Sequence, residues 1–106
     1  MRLLAVFTTL ATAEAARQMS RALVERRLAA CAQITTIESI YSWKGAVQSE
    51  AEYRVMFKTT AAQYQAVEAA IRELHTYELP AIHAVAVESA YEPYAAWVAE
   101  GSSGSP

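Results

Sequence analysis

Two groups of side chains in this chain of 106 residues have types and spacings that could do chemistry. The first is a set of borderline metal ligands: Cys31, His75, His83 and the thioethers of Met1, Met19 and Met56. Local metal motifs place cysteines or histidines at short intervals, and no CxxC, HxH or HExxH spacing occurs here. A metal site therefore has to be assembled by the fold, with His75 and Cys31 as its candidate ligands. Each also has an ordinary reading. Cys31 follows Ala29 and Ala30 and suits a small buried hydrophobe. His75 falls where a helix should end, and there an imidazole can serve terminal carbonyls and the helix dipole.

The second group is Trp43, Glu50, Glu52, Lys58, Tyr77 and Glu78. Glu50, Glu52 and Lys58 share one face of a strand by parity. They form either a solvated salt-bridge face or, with the aromatics, a polar pocket at a subunit junction. The chain contains no Asn and no Asp. That excludes a Ser-His-Asp triad and an EF-hand loop, and it leaves glutamate as the only carboxylate side chain.

The elements that must position these groups follow from periodicity. Residues 2–8 form an apolar strand. Residues 12–29 read as a helix with Thr12 as N-cap, Glu14 in the first turn, and Ala16, Met19, Leu23 and Val24 at helical spacing. Residues 30–44, rich in Ile, Thr, Tyr and Trp, have strand composition. Ile34, Ile37 and Ile40 stand three apart, which predicts a bulge near Thr35 and Thr36. Lys44-Gly45-Ala46 is the hairpin turn. From Glu50 to Lys58 the alternation is two-fold, with Ala51, Tyr53, Val55 and Phe57 on one side. A second helix begins at Thr60-Ala61-Ala62-Gln63, which fits a capping box, and buries Tyr64, Val67, Ile71 and Leu74. Pro80 stops it, and residues 82–88 supply a fourth strand. Pro93 opens a short last helix carrying Tyr94, Trp97 and Val98. Residues 101–106 read as a flexible tail after a single domain over 1–100.

The order β-α-β-β-α-β with a short C-terminal helix is an α+β, ferredoxin-like sandwich. Strands of 12–14 residues would span about 40–45 Å, so the β2-β3 hairpin must project past the helices. Tyr41, Trp43, Val47 and Tyr53 then lack a local cover, and a long exposed edge calls for a partner, here another copy of the chain.

Composition narrows the function. The formal charge of −2 gives no basic surface for nucleic acid. No apolar run is long enough to span a bilayer, and the N-terminus lacks the pattern of a signal peptide. One cysteine excludes an intrachain disulfide. The expected compartment is the cytoplasm.

Taken in order, Leu28-Ala29-Ala30-Cys31-Ala32, Ser39-Ile40-Tyr41-Ser42-Trp43-Lys44-Gly45, Glu50-Ala51-Glu52, Phe57-Lys58-Thr59-Thr60 and His75-Thr76-Tyr77-Glu78-Leu79-Pro80 resemble the CutA divalent-cation tolerance proteins. The resemblance covers roughly residues 3–99. It implies a homotrimer whose hairpins pair across subunits, a link to divalent metal, copper in particular, and no catalytic group. Some CutA proteins associated with copper carry a cysteine in the first strand and a second histidine just before the position of His75. This chain has Phe7 and Leu74 there. The usual family form also has proline and glutamate where Thr76 and Ala81 stand. The alternative is a signalling trimer of the PII type that binds a small anionic ligand at the subunit junction, an analogy of architecture. An acylphosphatase-like hydrolase would need an asparagine the chain lacks. RNA recognition would need a basic sheet surface.

Overall fold

The structure is a computed structural model, and it describes residues 2–104. The elements run β1 (Leu3–Leu10), α1 (Ala13–Glu25), β2 (Cys31–Trp43), β3 (Ala46–Thr60), a 3-10 turn (Ala61–Gln63), α2 (Tyr64–Leu74), β4 (Ile82–Ala86) and α3 (Glu92–Gly101). The strands form one antiparallel sheet in the order β2-β3-β1-β4. This is the ferredoxin-like α+β arrangement that the element order predicts.

Alternation assigns the two faces. Leu4 and Val6 of β1 and Val55 and Phe57 of β3 join Met19 and Leu23 of α1 and Val67 and Ile71 of α2 in the core. Leu3 and Ala5, on the opposite side of β1, are also buried, as is Val98 of α3. α3 contacts β3 and β1, and its Tyr94 reaches Lys58. It therefore caps the far face at the end of the sheet where the hairpin begins. No helix among the described residues is long and apolar enough to cross a membrane.

The hairpin dominates the shape. β2 has 13 residues and β3 has 15, and the longest molecular axis is 45 Å. Lys44 at φ 50° and Gly45 at φ 82° make the two-residue turn. Positive φ at both central positions is the type I′ geometry that matches the twist of the flanking strands.

Four local expectations are corrected. The register from Cys31↔Lys58 to Trp43↔Ala46 runs without a slip, so β2 has no bulge at Thr35 and Thr36. Ile34 and Ile40 lie on one face and Ile37 on the other, because no helix of this chain covers the outer hairpin and both faces tolerate apolar groups. α1 ends at Glu25 rather than residue 29. Arg27 takes φ 58°, and the Leu28 N–H returns to the Leu23 carbonyl at 3.0 Å, a left-handed helix stop without glycine. The capping box at Thr60 does not form: Thr60 is still the last rung of β3, opposite Leu3, and α2 starts at Tyr64 after the 3-10 turn. The segment after residue 100 is also held. Gly101 closes α3, Ser102 is 1% exposed with its hydroxyl donating to the Val98 carbonyl, and the Gly104 N–H donates to the Arg27 carbonyl. A side chain on Gly101 would meet Ala30 at 2.9 Å, which explains a glycine at this crossing. Ser105 and Pro106, the remainder of the expected tail, lie outside the described residues.

Candidate functional site: an acidic aromatic cleft beside the hairpin

β2 and β3 carry the site because their register brings Ile37 opposite Glu52, Ser39 opposite Glu50 and Tyr41 opposite Gln48. Directly opposed residues of an antiparallel pair share a face. Tyr41 is thus the diagonal neighbour of Glu50, and its hydroxyl donates to the Glu50 carboxylate. The loop after α2 supplies the other wall. There the Tyr77 hydroxyl donates to Glu52 Oε2 at 2.7 Å.

These groups border an open cleft of about 960 Å³, lined also by Trp43, Glu78, Leu79 and Pro80. Five of the six expected pocket residues, Trp43, Glu50, Glu52, Tyr77 and Glu78, come together. Tyr41 completes the set, and sequence reasoning missed it as a ligand-side residue. The signal was available, since counting back from the Lys44-Gly45 turn places it diagonal to Glu50.

Both phenols titrate above the ordinary tyrosine range. Tyr41 is pushed up to about 12, first by its hydrogen bond to Glu50 and then by loss of hydration and the Glu50 charge. Tyr77 is raised further, chiefly by burial and then by its bond to Glu52. Both remain neutral donors through the physiological range.

Lys58 is not part of this cleft. Parity puts it on the same face, but six residues along a strand separate it from Glu52 by about 20 Å. It lies opposite Cys31 and Ala5. Its ammonium stands 3.5 Å from the Tyr94 hydroxyl and 5.7 Å from the ring centre. Lysine does reach the cleft margin from the turn, where Lys44 pairs with Glu78 at 3.3 Å, both side chains well exposed. Lys58→Ala is therefore expected to leave the cleft unaltered and to cost about 0–1 kcal/mol, the range for a half-buried cation over a tyrosine with no carboxylate partner. Thermal unfolding of the variant checks this, and a larger loss would indicate a carboxylate partner that the single chain does not show.

The candidate metal ligands do not share a site. His75 follows the last turn of α2. Its Nε2 lies 2.7 Å from the Thr9 carbonyl, and its Nδ1 accepts from the Tyr77 N–H at 3.1 Å. Both ring nitrogens are occupied, so no lone pair is free for a metal. The imidazole instead positions Tyr77, against whose ring it also packs at 4.6 Å. Cys31 lies near Tyr94, its sulfur 3.8 Å from the hydroxyl. His83 stacks on Phe7 at 5.2 Å. Among the described residues no three His, Cys, Asp or Glu side chains converge to hold a metal ion. The residues present do not fit a His75–Cys31 copper centre.

Strand order, paired helices on one face and a third helix on the other define a ferredoxin-like α+β sandwich with an extended hairpin. Within that class, the chain belongs to the CutA1 divalent ion tolerance protein family, which it matches over residues 4–101. This is a family of cation-tolerance proteins and not a known enzyme family. The chain is 39% identical over 95 residues to Protein CutA of Mus musculus, covering 89% of this chain and 54% of that protein. It is 37% identical to the divalent-cation tolerance protein CutA of Thermotoga maritima, covering 90% and 94%. The chain thus spans about half the length of its mammalian relatives and nearly all of the bacterial one. Among solved structures, CutA from Synechococcus elongatus superposes with a TM-score of 0.92 at 35% identity, covering 95% of this chain and 90% of that one. The protein from Archaeoglobus fulgidus, described as a periplasmic divalent cation tolerance protein, gives 0.91 at 26% identity, covering 96% and 99%.

Proposed function

We propose that this chain acts as a cytoplasmic homotrimer in divalent-cation tolerance, copper included, through binding or regulation and without a catalytic step. The hairpin carries this reading. β2 is an outer strand of the sheet, 13 residues long, with one row of backbone groups unpaired in the single chain. Ile40 is 69% exposed and Val47 76%, too much apolar surface on one projecting ribbon to leave in water. A second copy of the hairpin would supply both the missing hydrogen bonds and the apolar cover, and a trimer is the assembly that the resemblance to CutA proteins implies. The acidic surface of the cleft gives a divalent cation a favourable potential even where no closed ligand set exists. The PII-like reading finds less support, because no Lys or Arg lines the cleft to receive an anion.

Native mass spectrometry without metal, with Cu²⁺ and with Zn²⁺ reports assembly and stoichiometry together. A trimer in all three conditions, with whole numbers of ions added, is the expected result. A stable monomer at micromolar concentration overturns the assembly, and a trimer that takes up neither ion overturns direct metal binding.

A further inference from the structure

We infer that His75 is an acid-sensitive latch: its neutral ring fixes the loop between α2 and β4 against β1, and a proton taken up by that ring at mildly acidic pH releases the loop. The inference concerns hydrogen bonds within each chain. It needs no free surface and does not rest on the metal-tolerance reading.

The partners of the ring fix its protonation state. Nε2 lies 2.7 Å from the Thr9 carbonyl, which can only accept, so Nε2 carries a hydrogen. Nδ1 lies 3.1 Å from the Tyr77 N–H, which can only donate, so Nδ1 carries a lone pair. Only the neutral ring with its hydrogen on Nε2 satisfies both partners. A further proton has to go to Nδ1, and there it faces the Tyr77 N–H. Imidazolium has two donors and no acceptor. The bond to Thr9 survives, because Nε2 carries a hydrogen in either form. The bond from Tyr77 does not.

The loop depends on the bond that is lost. Among the described residues, none from 76 to 81 makes a backbone–backbone hydrogen bond outside the strands and helices. The Tyr77 N–H bond into the ring is what sets the backbone path there. The remaining tethers are side chains: the Tyr77 hydroxyl on Glu52, and the exposed pair of Glu78 with Lys44. Releasing the Tyr77 backbone therefore loosens the grip of its phenol on the sheet.

No charged neighbour offers the protonated ring a replacement partner. On α2, Glu73 is paired with Arg26, and Arg72 is a cation. At the start of α1, Glu14 is paired with Arg17. β3 brings Glu52, taken by Tyr77, and Arg54, which lies opposite Thr9 with its guanidinium over Phe7. Glu50 is taken by Tyr41. β4 brings His83, stacked on Phe7. Imidazole is the side chain whose ordinary titration falls between about pH 5 and 8, which makes mild acid the trigger.

Nuclear magnetic resonance of the isotope-labelled, assembled protein from about pH 7.5 to about pH 5 tests this. At the upper end the ring nitrogens should report a hydrogen on Nε2 alone. On acidification Nδ1 should gain its proton. In the same step, protection of the Tyr77 amide against exchange, corrected for intrinsic pH dependence, should fall by about fivefold or more. His75→Asn is the control, because its side-chain carbonyl accepts the N–H two residues on, as in an Asx turn, and does not titrate. That variant should hold constant protection at Tyr77, whereas His83→Gln should respond as the wild type does. A hydrogen on Nδ1 at the upper pH, a ring still neutral at the lower one, or protonation that leaves the Tyr77 amide unchanged overturns the inference. So does an equal loss of protection in His75→Asn, or a response that vanishes in His83→Gln. Trimer formation and metal uptake are read separately by mass.

Discussion

Phe57→Ala is expected to destabilise the protein by about 3–5 kcal/mol, the range for deleting a fully buried aromatic ring. Phe57 is 0% exposed. It sits on β3, between Val6 of β1 and Ala32 of β2. α1 and α2 close over it in a core that contains Leu23, Val67 and Ile71. No smaller neighbour can collapse into the space, because the surrounding positions are held by two sheet partners and two helices. The loss should appear as a lowered urea midpoint with an unchanged slope, measured at fixed protein concentration because the proposed assembly would contribute to apparent stability. A change below about 1 kcal/mol would mean that subunit contacts, and not this core, set the stability. The site should feel the variant only indirectly. Glu50 and Glu52 lie farther out on the same strand, on the opposite face, and their local contacts are to Tyr41 and Tyr77.

The sheet was legible in the sequence because strand parity is a local property. Val55 and Phe57 alternate with Arg54 and Lys58, and the structure places the first pair in the core and the second on the far face, Arg54 exposed and Lys58 half-buried. The Lys44-Gly45 turn was equally legible, since two positive-φ positions in a row select few residues. Parity fixes a face and not a distance, so it groups Lys58 with Glu50 and Glu52. Its actual neighbour, Tyr94, belongs to a helix 36 residues away, and only the crossing of α3 over the far face of the sheet joins them. The hydrogen bonds that occupy the ring of His75 are hidden in the sequence for a related reason. Its Nε2 partner is the carbonyl of Thr9, 66 residues earlier, and no side-chain pattern announces a backbone acceptor. The serine-rich end read as mobile because composition registers polarity. It does not register that Ser102 can bury its hydroxyl by bonding back to the Val98 carbonyl.

Tyr77→Phe should cost about 1–3 kcal/mol near neutral pH, the penalty for leaving a buried acceptor without its donor. The ring stays, so packing against His75 is retained, and the change isolates the 2.7 Å bond to Glu52. Adding Glu52→Gln to Tyr77→Phe should recover part of the loss, because an amide tolerates an unpaired position better than a carboxylate does. Additive single effects in that double-mutant cycle would show that the two side chains are not coupled. The variant also has a signature in alkali. A tyrosine whose folded titration is raised above the ordinary value of 10.0 favours the folded state while it is protonated. That stabilisation is complete below about pH 10 and drains away as the pH rises through the folded titration. Wild-type stability should therefore fall above pH 10, with Tyr41 contributing up to about 12. In Tyr77→Phe the fall should be shallower, because one of the three raised phenols, Tyr41, Tyr64 and Tyr77, is gone. Phenolate absorbance followed through the same range gives an independent reading: at least two tyrosines of the folded wild type should ionise late, and one fewer in the variant. Identical alkaline profiles for the two proteins would place the phenol of Tyr77 in water, and the carboxylate of Glu52 with it.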